Sequence, residues 1–201
     1  MTVTSTSNPT ELSAAEAWSR RVRKVGGYIQ LAFAAFWLAR GGLSITGPTG
    51  LTLAIVGVAS TALVLRYAIR VTSEVGGRPT GSEAKRIERS INAATVIELV
   101  ASFTFPIIVV NAGHTDWAMP SIAITIGPLL LWLDHLVHIP RFRPVGWALT
   151  VVPFILVAVL SGSTLATVTG LGAGILLLAT AAAGFHDLAA LRTSVEPSAS
   201  R

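Results

Sequence analysis

The chain contains no cysteine. Disulfides, thiolate metal sites and cysteine nucleophiles are therefore excluded, and the redox compartment is left open. Charge is also scarce. Asp, Glu, Lys and Arg make up 12% of the residues, against about 25% in a soluble domain. Long polar runs are missing too: the two longest are the N-terminal tail and the stretch 71–90, neither large enough for a soluble domain. No Gly-rich phosphate loop, H-E-x-x-H or G-x-S-x-G is present, which removes the signatures of several enzyme classes. What remains is 52% apolar, with a mean hydropathy of +0.66 over 201 residues. That is the composition of a membrane protein. The net charge of +5 does not indicate nucleic-acid binding, because basic residues flank membrane spans for reasons of topology.

A spanning helix needs about 20 apolar residues. Six stretches qualify: Val25–Ser44, Leu51–Arg70, Ile91–Asn111, Met119–His138, Val145–Ser161 and Leu165–Phe185. Pro153 is expected to kink the fifth. Basic residues alternate between the connections. Arg20, Arg21, Arg23 and Lys24 precede the first span, and Arg66, Arg70, Arg78, Lys85, Arg86 and Arg89 surround the second connection. Arg141 and Arg143 follow the fourth span, and Arg192 and Arg201 follow the sixth. The other three connections carry none. The positive-inside rule then predicts an all-α integral membrane bundle of six transmembrane helices with both termini cytoplasmic. Its parts are a partly disordered tail (1–24), one transmembrane domain (25–190) and a short C-terminal tail (191–201). The spacing reads as three two-helix hairpins, and Gly57 and Gly127 at similar depths are compatible with an internal duplication.

Two local features qualify this scheme. Paired arginines in Ser19-Arg20-Arg21-Val22-Arg23-Lys24 resemble an export signal, but the following apolar pair and a small-x-small cleavage site are missing, so no cleavage is expected. Ser13-Ala14-Ala15-Glu16 fits a capping box that starts a short interfacial helix. Within 71–90, Ser82 is expected to cap a helix that runs straight into the third span.

Polar groups inside the membrane are costly, at about 3 kcal/mol for a central charge on insertion scales. Glu98 lies seven residues past Ile91, about 10 Å into the bilayer at about 1.5 Å per residue. Thr95 and Ser102 share its helical face, with Asn92 nearby. Asp134, His135 and His138 close the fourth span, with Asp134 and His138 four residues apart. Arg66 falls at the same depth. If the third and fourth spans pair, Glu98 can meet Asp134 or His135, and such a pocket can carry protons or a divalent cation. Metal candidates are His135, His138, His186 and Glu98. A bis-histidine haem site would need His186 as partner to the others. The competing reading is structural: histidines suit a helix C-terminus, and Asp134 can pair with Arg66, Arg70 or Arg141. Gln30 can face the same cavity. Arg40 is expected to snorkel outward over Phe36 and Trp37, and His114 and Asp116 to be solvated. Gly170-x-x-x-Gly174 is expected to pack helices internally. Trp37, Trp117, Trp132 and Trp147 are placed as an aromatic belt.

The run around Gly127 to Gly146, I-G-P-L-L-L-W-L-D-H-L-V-H-I-P-R-F-R-P-V-G-W-A-L, resembles a segment of uncharacterised small multi-pass membrane proteins of bacteria. In those, a glycine opens the fourth span, a proline follows it at the inner loop, and a second glycine opens the fifth. Asn92 and Glu98 resemble the polar start of their third span. The His they carry two positions after the first glycine is Leu129 here, so its role does not transfer. The resemblance implies a bacterial cytoplasmic-membrane protein and no particular activity.

The functional expectation is a transporter-like protein for a small solute, ion or proton, with Glu98, Asp134, His135, His138, Arg66, Thr95 and Ser102 around an inner-half cavity. The alternatives are a metal- or haem-binding oxidoreductase and a non-catalytic membrane subunit. The cofactor is unknown. The lipid bilayer is the expected partner, an oligomer or membrane complex is a further candidate, and nucleic acid is excluded.

Overall fold

The computed structural model describes residues 14–73 and 81–193. The Ser/Thr-rich start, Ser13 of the proposed capping box and the Gly76-Gly77 stretch lie outside them. Six helices account for nearly all of the described chain: α1 (Ala14–Leu43), α2 (Pro48–Thr72), α3 (Ser82–Asn111), α4 (Ala118–Val137), α5 (Phe142–Val159) and α6 (Gly162–Thr193). A single 3-10 turn, Thr115–Trp117, precedes α4. There is no strand among the described residues. The all-α bundle expected from the sequence is what forms.

Five of the helices, α2 to α6, are long and apolar enough to cross a membrane. α1 is as long as α3 but carries Arg20, Arg21, Arg23 and Lys24 in its first half and Arg40 near its end, which dilutes its apolar stretch. It is one continuous helix rather than an interfacial segment followed by a span. Trp18 and Val22 in its basic part are buried. The Trp18 indole N–H donates to the Ala84 carbonyl at 3.0 Å, tying the start of α1 to the start of α3. α3 is also continuous from Ser82. Gly81, at φ 107°, stands at its N-cap, and Ser82 is the first helical residue rather than the cap.

Helices of a membrane protein gain little from the hydrophobic effect against one another, so close packing through small residues decides who neighbours whom. α1 and α6 share the largest interface. A Cβ on Gly41 would stand 2.6 Å from the backbone N of Leu171, and one on Gly174 would stand 2.6 Å from the Leu38 side chain. Gly170 and Gly174 thus work inside the chain. α4 and α5 form the next largest interface, where a Cβ on Gly127 would lie 2.6 Å from the Gly146 carbonyl oxygen. α1 and α2 meet where Gly42 faces Ala54 and Gly57 faces Leu38. The scheme of three sequential hairpins therefore needs correction. α5 and α6 are consecutive, but α6 packs chiefly on α1 because its glycines seat there.

Trp37 is the second correction. It is fully buried, in a core built with Ala34, Ala123, Ile126, Leu130 and Leu177, and does not belong to an aromatic belt. Trp132 and Trp147 are exposed, as belt residues would be. Arg40 is exposed, and the cation–π pair among the described residues is instead Arg21 over Trp18, at 5.8 Å.

Candidate functional site

Glu98 sits in the apolar part of α3 and is half-buried. The Ser102 hydroxyl, one turn on, donates to its Oε1 at 2.8 Å. Ser102 Oγ also lies 2.6 Å from Thr125 Oγ1 of α4. A chain of carboxylate and two hydroxyls therefore crosses the α3–α4 interface. Thr125 Oγ1 also lies 2.8 Å from the Ile122 carbonyl of its own helix, so its one proton serves either that carbonyl or Ser102. Thr95, on the same side in the sequence reading, is exposed and donates to the Ile91 carbonyl at 2.9 Å, so it serves its own helix and not the chain.

The carboxylate opens on a groove of about 490 Å³ between α3 and α4. α3 contributes Ala93, Ala94, Ile97, Ala101 and Phe105, and α4 contributes Ile124, Pro128, Leu129 and Trp132. Besides the Trp132 indole, only Ser90, Glu98 and Thr125 bring polar side-chain atoms to the wall. Both helices carry a proline here. Pro128 lacks the N–H that would close onto the Ile124 carbonyl, and Pro106 lacks the one for Ser102. Two backbone acceptors without their helical donors thus belong to residues of this site.

The structure does not assemble the remaining sequence-derived candidates around Glu98. The hydroxyl chain pairs Ser102 with the Thr125 level of α4, and Glu98, one turn earlier on antiparallel α3, stands nearer the end of α4 that carries Asp134. Asp134 lies nine residues beyond Thr125, and so about five beyond the level of Glu98, roughly 8 Å of helix at about 1.5 Å per residue. No hydrogen bond or ion pair joins Glu98 to Asp134 or His135 among the described residues. His135 is exposed and its ring lies tilted beside Trp132, centroids 6.3 Å apart. His138 is not on the helical face at all. It caps α4 in the left-handed conformation, φ 52° and ψ 63°, with its N–H on the Asp134 carbonyl at 2.9 Å. It is the one non-glycine residue with positive φ among those described. Glycine or asparagine commonly fills that position, and His is among the residues that tolerate it. His138 therefore acts structurally, stopping α4 and turning the chain into buried Ile139. Arg66 is exposed on α2, which packs on α1 and α6, and it takes no part in the groove. His186 is exposed as well. No three His, Asp or Glu side chains gather closely enough to hold a metal ion among the described residues.

A second polar centre joins residues that the sequence marked singly but did not pair. Asp187 of α6 accepts from Arg23 of α1 at 3.2 Å and from Arg141 in the α4–α5 connection. Arg141, a candidate partner for Asp134, is thus engaged by Asp187 instead. Burial lowers the Arg23 and Arg141 pKa values, and neighbouring arginines (Arg20 for Arg23, Arg23 for Arg141) lower them further. Two guanidiniums on one carboxylate staple three segments that lie far apart in sequence. At the opposite end, Asp116 accepts the Gly162 backbone N–H at 3.0 Å. A carboxylate at a helix N-terminus is favoured by the dipole, so Asp116 fastens the start of α6.

No family model, no curated protein and no solved structure matches this chain.

Proposed function

We propose that the chain is a six-span protein of a bacterial cytoplasmic membrane, with both termini inside, and that it is transporter-like, handling a small solute, ion or proton at Glu98. The observation that carries this reading is the half-buried Glu98 carboxylate on the wall of the α3–α4 groove, held by Ser102, which Thr125 contacts in turn, and with no ion-pair partner among the described residues. Ionisable groups at such depth are expensive and are functional by default. The topology is supported by the contacts. The starts of α1 and α3 and the end of α6 meet the α4–α5 connection at one end of the bundle, and these are the basic ends.

The test is dissipation of an imposed pH gradient by proteoliposomes that contain a pH-sensitive dye. Wild type is expected to dissipate the gradient and Glu98→Gln to lose that activity by at least tenfold, while Asp134→Asn and His135→Ala retain it. A gradient that survives equally with wild type and Glu98→Gln would remove proton handling at Glu98. Topology can be read separately, because the chain has no native cysteine. Thr46→Cys and Ser163→Cys should react with a membrane-impermeant thiol reagent from outside, and Arg143→Cys only after lysis.

A second reading, a non-catalytic subunit of a larger membrane complex, draws on α3. No residue of its most apolar stretch is buried. The metal- or haem-binding reading draws no support from His135, His138 and His186, all three exposed.

A further inference from the structure

The α3–α4 groove holds one carboxylate and no matching positive charge. Residues 90–140 contain no Lys or Arg. The nearest basic residue along α3 is Arg89, nine residues before Glu98, or about 13 Å of helix. An acid in an apolar wall calls for a cation or a proton. Its neighbours narrow the choice. A hard metal ion wants six or more oxygens, and no cluster of acids or histidines supplies them among the described residues. A polyhydroxy solute would press its hydroxyls against Ala93, Ile97 and Leu129 with only Ser90, Glu98, Thr125 and the Trp132 indole to satisfy them. A lipid acyl chain would fill the groove only with Glu98 protonated, and would make no use of its carboxyl.

An apolar body with one positive charge meets every requirement. The volume, about 490 Å³, falls within the range of roughly 300–1,000 Å³ usual for small-molecule sites. The apolar wall takes the body, and Glu98 takes the charge. Trp132 borders the groove with its ring half exposed and offers a π face to a cation. Ile97 is 69% exposed on the same rim, so the groove is open sideways, toward where lipid would lie. We infer that the Glu98 groove binds a lipophilic organic cation, an amine or onium with an apolar body, which enters laterally from the bilayer. This rests on the reading of Glu98 as the working group.

The experiment is equilibrium binding of radiolabelled tetraphenylphosphonium to the full-length protein in mild detergent, corrected with protein-free micelles. Uncharged triphenylphosphine oxide and anionic tetraphenylborate serve as competitors. The expected result is saturable one-to-one binding of the cation, competed at least tenfold more weakly by the uncharged compound and not by the anion. Glu98→Gln should weaken it at least tenfold, and Glu98→Asp should retain part of it. Ala101→Leu, which fills the groove and leaves the carboxylate in place, should weaken it as well, and decides the matter if Glu98→Gln does not fold. Equal competition by the uncharged compound, or full binding by Glu98→Gln, overturns the inference and describes an acyl-chain or detergent site. Absence of binding by wild type also overturns it. If Glu98-dependent dissipation of a pH gradient persists in that case, the proton-handling reading stands without the organic cation.

Discussion

α3 and α6 are both long, apolar helices, yet they are packed in opposite ways. In the most apolar stretch of α6, 44% of the residues are buried, and in that of α3 none is. Hydropathy does not separate them, since the means are 1.9 and 2.1. Glycine does. α6 carries Gly170 and Gly174 against α1, whereas α3 has no glycine between Ser82 and Asn111. In lipid, apolar side chains gain little by leaving the solvent, so close backbone approach is what holds helices together. α3 therefore stays at the edge, fastened at its start by Trp18 and Ile87 and along its length mainly by α4. The groove that exposes Glu98 exists because this helix is loosely covered.

The contrast can be broken most severely at Gly41. Gly41→Leu drives side-chain atoms into the backbone of Gly170 and Leu171, and overpacking against backbone should cost about 3 kcal/mol or more. Ile97→Leu on the bare side of α3 should stay within about 0.5 kcal/mol. Thermal unfolding of both variants in detergent measures the difference, and comparable losses would erase the distinction between the two helices. The polar centres offer an intermediate effect. Asp187→Asn leaves Arg23 and Arg141 facing each other without a counter-charge. The groups are partly solvated, at 19%, 26% and 33% exposure, so screening reduces the loss to about 2 kcal/mol. The same denaturation curves will show it, and a change of a few tenths would mark the pair as ornamental. The smallest effect belongs to His138. His138→Gly should be neutral or slightly stabilising, and His138→Val should cost about 1–2 kcal/mol, because a β-branched residue resists the left-handed conformation. Both should leave the pH-gradient activity intact. Activity lost in the stable glycine variant would return His138 to the working site.

Much of the fold is legible in the sequence because helical membrane segments announce themselves by run length. The fourth apolar run, Met119–His138, matches α4 at Ala118–Val137. Pairing is less legible. Nothing local says that α6 prefers α1 to α5, since that choice depends on which glycines face each other across a distance of over a hundred residues. α6 also continues past Phe185 to Thr193, because Leu188 is buried and Asp187 is held by two arginines. In the site, Glu98 and Ser102 are legible through four-residue spacing. Thr125 is not, because helix register is needed to bring it to Ser102. The signal that could have found it is a hydroxyl three residues before Pro128 in an otherwise apolar span. Asp134, His135 and His138 look like a cluster because they are adjacent in sequence. The left-handed turn at His138 takes it out of the helix that carries Asp134 and His135.

The division that matters most is between the Glu98 carboxyl, on the apolar α3–α4 groove, and Asp134, in the last turn of α4. Carbodiimide labelling in intact membranes, read by peptide mass spectrometry, tests it most directly. A lipophilic carbodiimide should modify Glu98, and a water-soluble one should modify Asp134 and leave Glu98 untouched. Labelling of Glu98 by the water-soluble reagent, or its resistance to the lipophilic one while Asp134 reacts, would contradict that division.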